Sequence, residues 1–160
     1  MSVESALLSV SLVDESVILS LPGPDSAESA SEWGNELRRD VHSLLTDFIQ
    51  HTQAHTTLDA ECARKAHDLK TALRILGCSR AAFITEIIEN TAIANTHTTS
   101  TTTHTTPTAA TVDPQVEESL LGAAAAADAA VLGYLVCQLH EVYSSTLPTL
   151  DIYPWLKLRQ

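Results

Sequence analysis

The sequence predicts an all-α protein, an antiparallel four-helix bundle, and three observations carry the prediction. Apolar residues recur at helical spacing in successive stretches, with polar residues filling the opposite faces. Helix-stopping and helix-starting residues (Thr56-Thr57, Gly77 and Pro114) fall between those stretches. The chain of 160 residues is long enough to bury a real core as a single domain.

The N-terminal stretch, residues 1–24, has a different pattern. Leu8-Ser9-Val10-Ser11-Leu12 alternates as a strand does, and Val17-Ile18-Leu19 would continue a hairpin after Asp14-Glu15-Ser16. Pro22-Gly23-Pro24 ends whatever precedes it. The first firm helix runs from about Ser31 to Gln53, where Leu37, Val41, Leu44, Leu45, Phe48 and Ile49 form one amphipathic stripe. Thr56-Thr57 breaks it. Thr57 or Asp59 then caps a second helix, from about Leu58 to Leu76. Gly77 is its stop signal and lets the chain reverse. Ser79 caps a third helix, with Phe83, Ile84, Ile87 and Ile88 as apolar neighbours, so the two helices make an antiparallel hairpin.

Residues 96–112 are dominated by threonine, which has little apolar surface to bury and a poor helix propensity. They are expected to form an exposed, flexible loop. Pro114 starts the last helix, at the position where proline costs least, and the helix is expected to reach about Tyr143. Leu121, Leu132, Leu135 and Leu139 share one stripe of it. Gly122, Ala126, Ala129 and Gly133 make it thin enough for close packing, and Asp128 beside the stripe needs a donor. The tail carries Trp155 and Leu156, which are expected to pack back on the bundle.

Nine Lys and Arg stand against 20 Asp and Glu, a formal net charge of −11. So acidic a surface disfavours nucleic acid and anionic membranes as partners. The apolar run from Leu120 to Leu139 has the length of a membrane span. It is rich in alanine, carries Asp128 near its centre, and has Glu117 and Glu118 where cationic anchors would stand, so a buried helix is the better reading. Cys62, Cys78 and Cys137 form no C-x-x-C pair and leave an odd count. With no signal peptide, they read as reduced thiols of a cytoplasmic or nuclear protein, expected to be a monomer.

Chemistry concentrates on the second helix. Cys62, Leu69, Leu73 and Leu76 lie on one side, bordered by Ala66 and Ala72, and His67, Lys70, Thr71 and Arg74 lie on the other. Burying the apolar stripe leaves His67 on the outer face with two cations beside it. A neutral imidazole is a nucleophile, and an ordinary histidine pKa near ~6.5 leaves most of it neutral at pH 7. Cations beside it suit the charge of a phosphoryl group.

Ala66-His67, Leu69-Lys70, Leu76-Gly77 and Arg80 together resemble the motif of the histidine-containing phosphotransfer (HPt) family, and the likeness extends from Ala66 to Glu89. A helical bundle with a variable loop before its last helix is similar to the yeast-type phosphorelay intermediates of that family. The resemblance implies a short capping helix over about Val13–Leu21, preferred here to the hairpin. It also implies phosphoryl acceptance on His67, with Lys70 as the family's phosphate-side lysine and Arg74 as an addition specific to this chain. Glu89 stands where some relatives carry a polar residue that hydrogen-bonds the histidine ring. The partners implied are response-regulator receiver domains and a hybrid histidine kinase, with Mg²⁺ supplied by the receiver and no cofactor of the chain's own. Thr71 and Gly77 would face the docking partner. Thr71 departs from the family, which usually has a glycine there that lets a partner approach closely.

Other candidates are weaker. Asp47, His51 and His55 share helical spacing, but no H-E-x-x-H or cysteine supports a zinc site, and they read as a solvated face. His97 and His104 fall in the threonine tract, where metal binding would have to order a loop. No Gly-rich phosphate loop and no G-x-S-x-G occurs. The sequence thus leads to a phosphorelay intermediate, with no metal site and no kinase motif. A helical adaptor of the same shape, with phosphotransfer weakened or lost, is the alternative that Thr71 and Leu73 keep open.

Overall fold

The computed structural model describes residues 3–21, 27–101 and 114–157, with side chains described for 5–21, 28–97 and 127–157. Six helices occur in them: α1 (Val3–Ser9), α2 (Glu15–Ser20), α3 (Ala27–Ala54), α4 (Ala60–Ile75), α5 (Ser79–Thr101) and α6 (Pro114–Leu150). No strand occurs among the described residues, so the protein is all-α there. Helix α3 packs on α4, α4 on α5, α5 on α6, and α6 returns to α3, while α1 lies against α5.

The alternation over residues 8–12 does not build a strand. Leu7 and Ile18 are buried, whereas Leu8 and Leu19 face outward, so α1 and α2 each offer the core one side. Asp14 caps α2, its carboxylate accepting from Ser16 N and Val17 N. The hydrogen bond from the Ser16 hydroxyl, then that from the Val17 amide, holds the Asp14 carboxyl below the usual range.

The expected stripe of α3 is the buried one: Val41, Leu45 and Phe48 are enclosed, with Leu37, Leu44 and Ile49 partly covered. Asp59, rather than Thr57, caps α4 by accepting from Cys62 N at 2.8 Å. Cys62, Ala66, Leu69, Leu73 and Leu76 are fully buried. The helix ends in a Schellman motif around Gly77, at φ +77: Cys78 N–H donates to the Leu73 carbonyl and Gly77 N–H to that of Arg74. Ser79 is the first helical residue of α5 rather than its cap.

Helix α5 runs on into the threonine tract. Residues 96–101, expected in the loop, are helical, and residues 102–112 of the tract lie outside the described residues. Within α5 the hydroxyls of Thr85, Thr91 and Thr96 each donate back to a carbonyl of the preceding turn, so threonine is accommodated along the helix that the tract continues. Helix α6 likewise passes Tyr143 and reaches Leu150, with Pro148 in its last turn. Leu132, Leu135, Leu139, Tyr143 and Leu150 are buried. Asp128 finds its donor in Asn95 Nδ2 at 3.0 Å, a tie between α5 and α6. Gly133 does not serve close packing, because nothing lies within 4 Å of where its Cβ would be. The packing at Leu121, Gly122 and Ala126 lies outside what is described. No described helix is long and apolar enough to cross a membrane.

After α6 the chain folds back across α3. Leu156 is fully buried, Trp155 partly so, and the buried Arg38 Nη1 donates to Asp151 Oδ1 at 2.7 Å and to the Leu156 carbonyl at 2.5 Å. Gly34 makes room for the tail, since a Cβ there would collide with the Trp155 carbonyl. The three cysteines are free, and burial pushes the Cys62 and Cys78 thiols up to about 11.

Candidate functional site

His67 stands on the middle turns of α4 with its side chain 60% exposed. It is there because Ala66 and Leu69 on either side turn inward and are completely enclosed, leaving position 67 no choice but the outer face. The Gly77 turn then folds α5 back along α4. That brings Glu89, 22 residues further on, against the ring: Glu89 Oε1 lies 2.7 Å from His67 Nδ1. The other carboxylate oxygen, Oε2, accepts from Lys70 Nζ. Glu89 is 7% exposed, so this is a nearly buried carboxylate bridging a histidine and a lysine of the neighbouring helix.

Burial pushes the Glu89 carboxyl up, but the hydrogen bonds from Lys70 and from His67 outweigh it and hold the group below the usual carboxylate range. It is therefore ionised at neutral pH and can only accept. Facing a pure acceptor, the neutral imidazole carries its proton on Nδ1 and its lone pair on Nε2. The arrangement provides a surface nucleophile, or base, with a fixed tautomer and a fixed ring plane.

The two expected cations are less open than the sequence suggests. Lys70 is committed to Glu89, with only 12% of its side chain exposed. Arg74 is exposed but bonded to Glu86 Oε1 on α5 at 3.1 Å. Sequence reasoning missed Glu86. Its only signal was that an antiparallel hairpin puts that stretch of α5 within reach of a long side chain on α4. Thr71 is exposed beside His67, with its hydroxyl donating to the His67 carbonyl at 3.0 Å. Gly77 does not face a docking partner. It is buried beneath α2, its carbonyl accepting from Asp14 N at 2.8 Å, and it belongs to the hinge. Arg80 is structural as well, its Nε donating to the Val10 carbonyl and so pinning the segment between α1 and α2.

Elsewhere, the His51 and His55 rings stack with centroids 4.9 Å apart, while Asp47 opens onto a shallow groove with Arg64, Lys65 and Asp68. Among the described residues no group of three or more His, Cys, Asp or Glu side chains is placed to hold a metal ion. His97 is exposed near the end of the side-chain description of α5, and His104 lies outside the described residues. The likeness to the phosphotransfer motif therefore comes down to one face of one helical hairpin. Compared with known proteins, the chain matches no family model, no curated protein and no solved structure.

Proposed function

We propose that this protein is a histidine phosphotransfer intermediate of a multistep two-component phosphorelay, built as an antiparallel four-helix bundle with α1 and α2 laid across one end. His67 takes a phosphoryl group from the aspartate of one receiver domain and passes it to another. The single observation that carries the reading is the exposed His67 ring held through Nδ1 by the nearly buried, ionised Glu89, with Nε2 left as the nucleophilic edge. A structural histidine needs no such aim, whereas a phosphoryl acceptor does. The receiver supplies Mg²⁺ and the acidic pocket, and this chain supplies nucleophile, orientation and a surface. A groove between the α1–α2 segment and α5, lined by Val10, Val17 and Phe83 with Arg74 and Glu86 at its edge, offers apolar area for such a domain two turns along α4 from the histidine. The protein would act as a monomer in the cytoplasm or nucleus, downstream of a hybrid histidine kinase.

Incubation with a phosphorylated receiver domain tests the reading. Acid-labile, base-stable label should appear on the wild-type chain and be lost in His67→Gln, with helicity and melting nearly unchanged, because an exposed substitution costs little. Label persisting in the mutant would assign the acceptor to another histidine. The second reading, an adaptor bundle without transfer, is favoured by the pairing of both cations with carboxylates, Lys70 with Glu89 and Arg74 with Glu86. Tight receiver binding with no label on the wild type would establish it.

A further inference from the structure

The contact between Glu89 and Nδ1 constrains where a proton sits once the ring is phosphorylated, a consequence that rests on the phosphotransfer reading. In the free protein the neutral ring bears its proton on Nδ1, toward Glu89 Oε1 at 2.7 Å. When the Nε2 lone pair attacks the phosphorus of an aspartyl phosphate, the N–P bond forms, the acyl P–O bond breaks, and the aspartate carboxylate leaves with the electron pair. The product is an imidazolium, phosphorylated on Nε2 and still protonated on Nδ1. In open water such a ring can shed that proton and become the neutral phosphoimidazole, whose nitrogen is a poorer leaving group. Here shedding it would set a bare Nδ1 lone pair against an ionised carboxylate oxygen, two acceptors with no hydrogen between them.

We infer that Glu89 keeps the Nδ1 proton on His67 through the whole transfer cycle, so that the phosphoryl group rides on a cationic ring and moves in either direction without proton exchange with solvent. In the onward step an aspartate oxygen attacks phosphorus and the P–Nε2 bond breaks. The electron pair returns to Nε2, and the ring is left in its starting tautomer. Glu89 touches the ring and not the phosphoryl group, so it is a positioning residue.

The surrounding charges do not take over this role. On α4, Lys70 shares the same carboxylate and moderates its pull, and Arg64 pairs with Glu61 and Asp68. From α5, Glu86 is turned to Arg74. Among the described residues Glu89 is the carboxylate that meets the ring.

The test needs no receiver domain. The full-length protein is phosphorylated with phosphoramidate, whose P–N bond breaks as ammonia leaves. The His67 phosphohistidine, identified by its loss in His67→Gln, is then followed by ³¹P NMR as it decays between pH 5 and 9. The protonated ring is the fast-decaying form. The wild type should stay in the fast regime to higher pH than Glu89→Gln, whose amide can serve either ring form. A displacement of one pH unit makes decay roughly tenfold faster in the wild type at a given pH on the descending limb. Lys70→Gln, which removes the competing cation, should displace the profile further in the same direction. Coincident profiles for folded wild type and Glu89→Gln would overturn the inference while leaving His67 as acceptor. Absence of a His67 signal in the wild type would overturn both. If Glu89→Gln does not fold, the Lys70→Gln profile decides, and a shift to lower pH or none rejects proton retention.

Discussion

Thr71 carries the sharpest disagreement between this chain and the motif it resembles. Its side chain is exposed one turn beyond His67, and its hydroxyl is occupied with the His67 carbonyl, so the methyl group is the part a docking domain would meet. Thr71→Gly should therefore speed transfer to and from a receiver while destabilising α4 by roughly half a kcal/mol, since threonine is itself a poor helix former. Rapid-quench transfer rates at equal folded fraction check it, and slower transfer would make the threonine a contact rather than an obstacle. Much of this scale was legible in the sequence. His67 and Thr71 lie outward because the burial of Leu69 and Leu73 forces them there, and periodicity alone reveals that. Periodicity does not reveal what a long side chain reaches. Lys70 bends to Glu89 and Arg74 to Glu86, partners fixed only when the second helix is in place.

At the scale of elements, the α4–α5 turn is where local chemistry and packing agree most closely. Gly77 adopts a positive φ that closes both bonds of the Schellman motif, and its missing side chain leaves room for α2. A Cβ there would lie 2.8 Å from Ile18 Cγ1 and 3.1 Å from the Asp14 carbonyl oxygen. Gly77→Ala combines the left-handed penalty of about 1–2 kcal/mol with that crowding, and urea melts should show a loss at or above this range. A loss below half a kcal/mol would mean that α2 yields freely. The stop at Gly77 could be read in advance because glycine has one strong reason to follow a helix. The ends of α5 and α6 could not. Threonines that bond their own helix, and a proline tolerated in a last turn, look in sequence like the loop-formers they are elsewhere.

For the whole molecule, the described core is closed at one side by the returning tail, held on α3 by the buried guanidinium of Arg38. Gly34 was not singled out from sequence because its reason is a backbone more than a hundred residues away, which no local pattern encodes. Gly34→Ala should lift residues 151–157 from α3, exposing the tail to limited proteolysis and costing about 1–3 kcal/mol by overpacking. Mass spectrometry of the first cleavage products checks this, and an uncut tail would show that α3 shifts instead.

The hinge at Gly77 has a consequence for how such a site can be gained or lost. His67 and Glu89 never meet locally; each is presented by its own helix, and the turn between sets their relative phase. One residue inserted within α5 between Ser79 and Glu89 would turn Glu89 by about 100° around the helix axis and shift it by about 1.5 Å relative to that turn, carrying it off the ring while both residues stayed intact. The pairing of histidine and carboxylate is thus written partly as a length, and a survey of the two side chains alone would score a chain that had lost it as complete.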